Sequence, residues 1–124
     1  MEKLCILVAD DEQHIRLLAS RLLSGKFAVL EASDGAEAVD KARQHKPSLI
    51  LMDIMMPNVD GYCACSTIKT DQSTKRIPVV MLTGIGYELN KKLAKEIGAD
   101  SYMTKPFTSK ELLDTISKFL EIPK

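Results

Sequence analysis

Five polar residues that could perform chemistry follow or end predicted β-strands in this chain. They are Asp10, Asp11, Asp53, Thr83 and Lys105. In an open parallel α/β sheet the carboxyl ends of the strands share one edge, so residues distant in sequence converge there. At roughly 4 Å spacing and an effective dielectric near 20, each pair of carboxylates repels by about 4 kcal/mol. Three acids that meet at one edge therefore indicate a divalent cation.

Short apolar runs supply the strands that would position these residues. Three of them are nearly unbroken, as is typical of parallel strands covered on both faces: Leu4 to Ala9, Ser48 to Met52 and Pro78 to Leu82. Phe27 to Glu31 and Ser101 to Thr104 are weaker runs. We expect these two strands nearer the edges of the sheet.

Helical segments alternate with the strands. Apolar residues recur at helical spacing from Ile15 to Leu23 and from Leu112 to Leu120. Start and stop signals predict further helices from Gly35 to His45, from Asp60 to about Asp71, and from Tyr87 to Ile97. This (βα)5 alternation predicts an α/β fold, the flavodoxin-like doubly wound parallel sheet of five strands in the order 2-1-3-4-5.

Length and charge favour a single domain with no obvious polyanionic partner. The chain has 124 residues, and its 17 basic side chains balance 17 acidic ones. One hydrophobic core suffices at this length, so residues 1–124 are predicted to form one domain. A balanced charge creates no field that would attract nucleic acid or an anionic membrane.

The sequence also carries no membrane or export signal. No apolar run approaches the roughly 20 residues that cross a bilayer. The start, MEKLCILVADDE, has no apolar stretch followed by a small-residue cleavage site. We expect a cytoplasmic protein.

Taken together, these motifs resemble the response-regulator receiver domains of two-component signalling, including the chemotaxis regulators. The matching motifs are Asp10-Asp11 after the first strand, Asp53 within D-I-M-M-P-N-V-D-G, Thr83-Gly84 after the fourth strand, and Lys105-Pro106-Phe107 after the fifth. They occur in order along the whole chain. The resemblance implies Mg²⁺-dependent transfer of a phosphoryl group to Asp53 from the phosphohistidine of a sensor histidine kinase or phosphotransfer protein.

The implied metal site consists of oxygen donors, which Mg²⁺ prefers. Asp10 and Asp11 would hold the ion together with the Asp53 carboxylate and the Met55 backbone carbonyl. The metal would neutralise both the acids and the incoming phosphoryl oxygens.

The resemblance implies a phosphoryl site and a switch beside that metal. Asp53 would be the nucleophile, Lys105 would pair with a phosphoryl oxygen, and Thr83 would donate its hydroxyl to another. As Thr83 moves toward the phosphoryl group, Tyr102 would turn inward. That change would remodel the surface made by the fourth helix, fifth strand and fifth helix, where a downstream protein would bind.

Departures from the family pattern bear on output and lifetime. Thr115 and Ile122 stand where receivers attached to winged-helix domains carry the arginines of a dimer interface. We therefore expect a monomer or weak dimer. Because the sequence stops just after the last helix, we also expect a receiver that acts alone by binding a protein; a receiver cut from a larger hybrid kinase or regulator is the alternative. Met55 and Ile85 flank the pocket in this family, and because both are apolar we expect a long-lived phosphoryl state.

Other interpretations stay open on the sequence. Asp10-Asp11 could simply open a helix. A Mg²⁺-dependent phosphohydrolase could use Asp53 as its nucleophile, although the D-x-D arrangement of one such family is absent because Met55 stands two residues after it. A flavin or nucleotide carrier is disfavoured because adjacent acids would repel its phosphates. A binding module that works without phosphorylation is the last alternative.

Overall fold

The computed structural model describes residues 4–84 and 95–123. Within them, five parallel strands form one sheet in the order β2-β1-β3-β4-β5. The strands are β1 (Cys5–Ala9), β2 (Ala28–Ala32), β3 (Leu49–Asp53), β4 (Val79–Thr83) and β5 (Ser101–Thr104). The predicted fold class and strand order are confirmed, and the two weaker runs do form the edge strands.

Helices follow the strands as the alternation predicts. They are α1 (Gln13–Leu23), α2 (Gly35–His45), α3 (Gly61–Thr70) and the C-terminal helix α4 (Ser109–Ser117). The helix predicted from Tyr87 to Ile97 lies almost entirely outside the described residues. Across the described ranges, no helix has the length and apolar character needed to traverse a membrane.

Two apolar clusters cover the two faces of the sheet. Alternate residues of β1 divide between them: Leu7 and Ala9 belong to one cluster, and Ile6 and Val8 to the other. Helices α2 and α3 pack on the first face, and helices α1 and α4 pack on the second. Because both faces are covered, β3 and β4 are buried along their whole length. This rigid centre carries the polar residues at its carboxyl edge.

Side-chain caps mark the beginning of α2, α3 and α4. Thr108 and Glu111 form a complete capping box at α4, as their spacing predicts. At α2 the box is only half formed: Asp34 accepts from the Glu37 backbone N–H at 2.8 Å, but the Glu37 carboxylate accepts instead from the N–H of Ser33, at 2.6 Å. Such caps satisfy N–H groups that the helix itself leaves unpaired.

Candidate functional site

Strand register brings the predicted polar residues to one edge of the sheet. Ala9 pairs with Met52, so Asp10 emerges beside Asp53. Asp53 pairs with Leu82, and Thr83 pairs with Thr104. The carboxyl ends of β1, β3, β4 and β5 therefore present Asp10, Asp53, Thr83 and Lys105 together. Asp10, Asp53 and Thr83 are 0%, 4% and 3% exposed.

The Lys105 ammonium joins the two buried acids. Its Nζ lies 3.0 Å from Asp53 Oδ1 and 3.2 Å from Asp10 Oδ2. It also lies 3.4 Å from Glu12 Oε1, an acid that sequence reasoning left out. The signal for Glu12 was its position directly after Asp11, at the same strand end. Because the acids outnumber the ammonium, the pocket keeps an excess of negative charge.

Burial sets the protonation of this pair. It raises the pKa of Asp53 to about 7, the Lys105 hydrogen bond opposes the rise, and the charge of Asp10 adds to it. Burial alone would lower the pKa of Lys105, but its hydrogen bonds and charge interactions with Asp53 and Asp10 outweigh that effect and raise it. The lysine therefore remains charged, while burial disfavours the charged form of Asp53 even beside that ammonium.

A second group of acids offers ligands for a metal. Asp10, Asp11 and Glu12 each present a carboxylate oxygen, and these oxygens lie within 4.8 Å of one another. All are hard oxygen donors, which suit Mg²⁺ rather than a softer transition metal. The donor chemistry thus fits Mg²⁺, and Glu12 joins the predicted Asp10 and Asp11.

An open cavity of about 480 Å³ lies over the pocket. Its lining combines the polar residues with apolar ones: Asp11, Glu12, Asp53, Ile54, Met55, Tyr62, Gly84 and Lys105. The Met55 side chain is 78% exposed at this opening. A small ligand can therefore reach the Asp53 carboxylate from solvent.

Asp10 has one oxygen for local structure and one for the pocket. Its Oδ1 accepts from the Glu12 backbone N–H at 2.9 Å, just before α1, while its Oδ2 faces Lys105. The helix-opening interpretation fails for Asp10, because Glu12 is the N-cap of α1 and the cap has no side-chain hydrogen bond. Arg16 fixes the same loop from behind, because its Nη1 donates to the Asp10 carbonyl at 2.7 Å and its Nε to Glu31 at 3.1 Å.

The turn back from β3 into α3 requires glycine at position 61. A Cβ atom there would lie 1.9 Å from the Asp53 carbonyl oxygen, far inside any real contact. The Gly61 N–H donates to the Ile54 carbonyl at 2.8 Å, and the Asp60 side chain caps α3 through the Cys63 N–H at 2.8 Å. The final Asp-Gly of the D-I-M-M-P-N-V-D-G motif thus holds the strand that ends in Asp53 against the helix.

The predicted switch residues occupy adjacent strands. Thr83 ends β4, and its carbonyl accepts from the Lys105 N–H at 2.7 Å. Tyr102 lies opposite Met81 on β5 and is 42% exposed. Ile85 and most of the predicted fourth helix lie outside the described residues.

The family assignment rests on the match of almost the whole chain. Residues 6–117 match the family model described as the response regulator receiver domain. With the sheet order and carboxyl-edge pocket described above, the chain belongs to the response-regulator receiver family.

Curated relatives place such domains within longer proteins. The chain is 42% identical to the probable transcriptional regulator ycf27 of Guillardia theta, over 86% of this chain and 41% of the relative. It is 41% identical to the alkaline phosphatase synthesis regulator PhoP of Bacillus subtilis, over 90% of this chain and 46% of that protein. Histidine kinase P4 of Formosa agariphila is 41% identical over 97% of the chain and 9% of the kinase. The chain thus spans less than half the length of each.

Solved structures share the fold closely. A putative response regulator from Chloroflexus aurantiacus superposes with a TM-score of 0.91 at 28% identity, covering 95% of this chain and 98% of that one. Chemotaxis protein CheY4 of Vibrio cholerae gives 0.88 at 31% identity, covering 95% and 99%. The receiver domain of sensor histidine kinase PA1611 from Pseudomonas aeruginosa, solved with a magnesium ion in its active site cleft, gives 0.87 at 26%, covering 94% and 97%.

Proposed function

We propose that residues 1–124 form one phosphorylatable receiver domain, in which Asp53 accepts a phosphoryl group in a Mg²⁺-dependent reaction. One observation carries the proposal: the Lys105 ammonium lies 3.0 Å from Asp53 and 3.2 Å from Asp10 in an acidic pocket open to solvent. The pocket thus brings together three groups: a buried carboxylate as nucleophile, an acid to bind the metal, and a cation to bind the phosphoryl group.

Asp53 is the nucleophile in this proposal. One carboxylate oxygen attacks phosphorus, and an O–P bond forms as the P–N bond of the donor phosphohistidine breaks. The imidazole leaves with the bonding electron pair and takes up a proton from water. Little covalent chemistry is asked of the protein, so positioning and charge stabilisation supply most of the catalysis.

The acids beside Asp53 hold the metal. Asp10 and Asp11, with the Asp53 carboxylate and the Met55 carbonyl, are the proposed Mg²⁺ ligands, and Glu12 adds negative charge beside them. The bound ion supplies positive charge that offsets the carboxylates and the phosphoryl oxygens. The oxygen-only donor set supports this assignment.

Lys105 and Thr83 bind the transferred group. Lys105 already contacts the Asp53 oxygen, and a phosphoryl group on that oxygen brings its own oxygens within reach of the same ammonium. Thr83, buried at the end of the neighbouring strand, donates its hydroxyl to another oxygen. Lys105 and Thr83 thus make contacts with phosphoryl oxygens that exist only in the phosphorylated protein, and these contacts stabilise that state relative to the free one.

The output of the domain is a change of surface. Movement of Thr83 toward the phosphoryl group lets Tyr102 turn inward and alters the surface made by β5, the C-terminal helix and the predicted fourth helix. Partners are a sensor histidine kinase or phosphotransfer protein upstream and a protein target downstream. We propose a cytoplasmic monomer or weak dimer without direct nucleic-acid contact, acting alone or as the receiver of a larger regulator.

The lifetime of the phosphoryl group depends on the pocket's apolar neighbours. The exposed Met55 side chain offers no hydrogen-bond donor to orient an attacking water. A slow release of phosphate from the phosphorylated protein is the expected result, and Met55→Asn should accelerate it. Release within seconds from the unaltered chain would contradict this part of the proposal.

Intact-mass spectrometry tests the function directly. The protein is incubated with Mg²⁺ and acetyl phosphate, alongside Asp53→Asn, a chelated sample, and Asp60→Asn as a matched change to an exposed acid. A single phosphoryl adduct should form in the unaltered chain and in Asp60→Asn only when Mg²⁺ is present. Absence of the adduct would favour a phosphorylation-independent binding module, and continued phosphate release from the donor without an adduct would favour a phosphohydrolase.

A further inference from the structure

The loop between β3 and α3, residues 54–60, is fastened to the beginning of α2. The Asn58 side-chain amide donates to Asp34 Oδ2 at 2.9 Å. The other oxygen of the same carboxylate, Oδ1, accepts from the Glu37 N–H at 2.8 Å and caps the helix. Asp34 therefore joins a helix start to the loop that follows Asp53. We call the Asp34–Asn58 pair the loop latch.

The backbone is shaped to allow this latch. Asn58 has φ 67°, a left-handed conformation that asparagine tolerates better than most residues. Gly35, next to Asp34, lies so close to the loop that a Cβ there would be 2.0 Å from the Val59 carbonyl oxygen. A side chain at position 35 would push the loop away and open the hydrogen bond.

The latch helps to fix the loop after Met55, and the strand fixes the chain before it. On the strand side, the Gly61 N–H donates to the Ile54 carbonyl at 2.8 Å. The Met55 side chain is 78% exposed and so provides little anchoring of its own. After Met55 the loop is held by the buried Met56 side chain, by Val59 packed on the same core cluster, and by the latch. The latch is the polar attachment among these three.

We propose that Asp34 and Asn58 are positioning residues for the magnesium site, because their hydrogen bond holds the β3–α3 loop where the Met55 carbonyl is available to the ion. This inference rests on the Mg²⁺ site of the proposed function. Neither residue touches the metal or the phosphoryl group in this account. An unlatched loop would have to be ordered when the metal binds, which weakens binding without altering the chemical step.

Three variants separate positioning from simple stability. Asn58→Gly removes the amide and accommodates the left-handed backbone. Asn58→Asp places two carboxylates against each other. The double exchange Asp34→Asn with Asn58→Asp reverses donor and acceptor, and asparagine still caps α2. A matched control is Arg43→Ala. It breaks the 2.9 Å contact between Arg43 and Asp71, which joins the C-terminal ends of α2 and α3, away from the latch.

Magnesium affinity is measured by titration calorimetry on the full chain without phosphodonor, and unfolding by urea on the same samples. Asn58→Gly and Asn58→Asp should each weaken Mg²⁺ binding by about tenfold, the lower end of what supporting residues contribute to metal sites. The double exchange should restore most of the affinity, and Arg43→Ala should leave it unchanged while lowering stability. At saturating Mg²⁺, acetyl phosphate should phosphorylate Asn58→Gly at the unaltered rate.

Parental Mg²⁺ affinity in folded Asn58→Gly and Asn58→Asp would overturn the proposal, as would failure of the double exchange to recover affinity. Equal weakening in Arg43→Ala would also overturn it, because the effect would then follow stability rather than the latch. Failure of the proposed function would give a different result, because the unaltered chain itself would then bind no Mg²⁺. That result would rule out both the magnesium site and the positioning role of the latch.

Discussion

Lys105 and Asp53 meet across an intervening strand: Lys105 follows β5, Asp53 ends β3, and β4 lies between them, yet Nζ and Oδ1 are 3.0 Å apart. The same ammonium lies 3.2 Å from Asp10 Oδ2, so it joins acids from the ends of β1 and β3. The contact with Asp53 also leaves the ammonium beside the atom that would receive a phosphoryl group.

The first prediction concerns the charge of Lys105. Lys105→Met keeps the length of the side chain but removes the ammonium, so the acids should bind Mg²⁺ more tightly while the phosphoryl group loses its partner. Phosphorylation by acetyl phosphate should slow by about a hundredfold, the size expected when one positioned donor is removed. Calorimetry and intact-mass time courses measure the two effects. Lys110→Met, at an exposed i,i+4 pair, is the control and should change neither. Unchanged phosphorylation in Lys105→Met would contradict the role of the ammonium.

The second prediction concerns pH and the stability of the metal-free protein. The pKa of Asp53 is raised to about 7 in the fold, so the folded state holds this proton more tightly than the unfolded chain. Stability from this group is therefore greatest at low pH and is lost as pH rises through about 7.

Asp53→Asn removes this loss. In the presence of chelator the variant should be more stable than the unaltered chain at pH 8, by on the order of 2 kcal/mol. The difference should shrink as pH falls below about 7 and vanish near the ordinary pKa of an aspartate, about 4. Urea unfolding at several pH values gives the measurement. A variant that is less stable at pH 8 would show that the Lys105 contact outweighs the burial of the carboxylate.

The third prediction concerns Gly61. Gly61→Ala places a Cβ 1.9 Å from the Asp53 carbonyl oxygen, and both partners are backbone, so the start of α3 must shift or the fold must open. A loss of about 3 kcal/mol or more in the free energy of unfolding is expected. Gly84→Ala has no atom within 4 Å of the new Cβ and should change stability by less than about 0.5 kcal/mol. Similar stabilities for the two variants would contradict the close approach.

The fourth prediction concerns the coupling of Thr83 to Tyr102. Thr83→Val keeps a β-branched side chain in β4 but removes the hydroxyl that would meet the phosphoryl group. With fluorotyrosine incorporated, the ¹⁹F resonance of Tyr102, assigned with Tyr102→Phe, should shift on phosphorylation in the unaltered chain and remain in place in Thr83→Val. Thr104→Val, at the paired position of β5, serves as the control. If the resonance still shifts in phosphorylated Thr83→Val, Tyr102 responds without the Thr83 hydroxyl and the predicted coupling is wrong.

Much of this arrangement could be predicted because strand ends in a parallel sheet share an edge. The apolar runs located the ends of each strand to within one residue. The one-residue differences have a physical cause. The apolar run from Ser48 stops at Met52 because Asp53 is polar. The strand pairing nevertheless continues to Asp53, which lies opposite Leu82. Hydrophobicity marks what is buried in apolar surroundings, not which backbone groups are paired.

Contacts that depend on side-chain reach could not be predicted. Glu12 directly follows Asp11 and so lies near the site, but its contact with Lys105 depends on how far the two side chains extend. Nothing in the spacing of Arg16 shows that it donates to the Asp10 carbonyl. The pairing of Asn58 with Asp34 joins two loops 24 residues apart. The contacts of Glu12 and Arg16 depend on the position of α1, and the Asn58–Asp34 contact depends on the position of α2.

The most direct test of Asp53 as the phosphoryl acceptor is to locate the phosphoryl group. Protein phosphorylated with acetyl phosphate and Mg²⁺ is reduced with borohydride, which converts an aspartyl phosphate to homoserine, and is then digested and sequenced by mass spectrometry. The account predicts homoserine at position 53 in the unaltered chain and none in a chelated sample. Homoserine at another aspartate, or a stable adduct on a histidine or a hydroxyl residue, would contradict it.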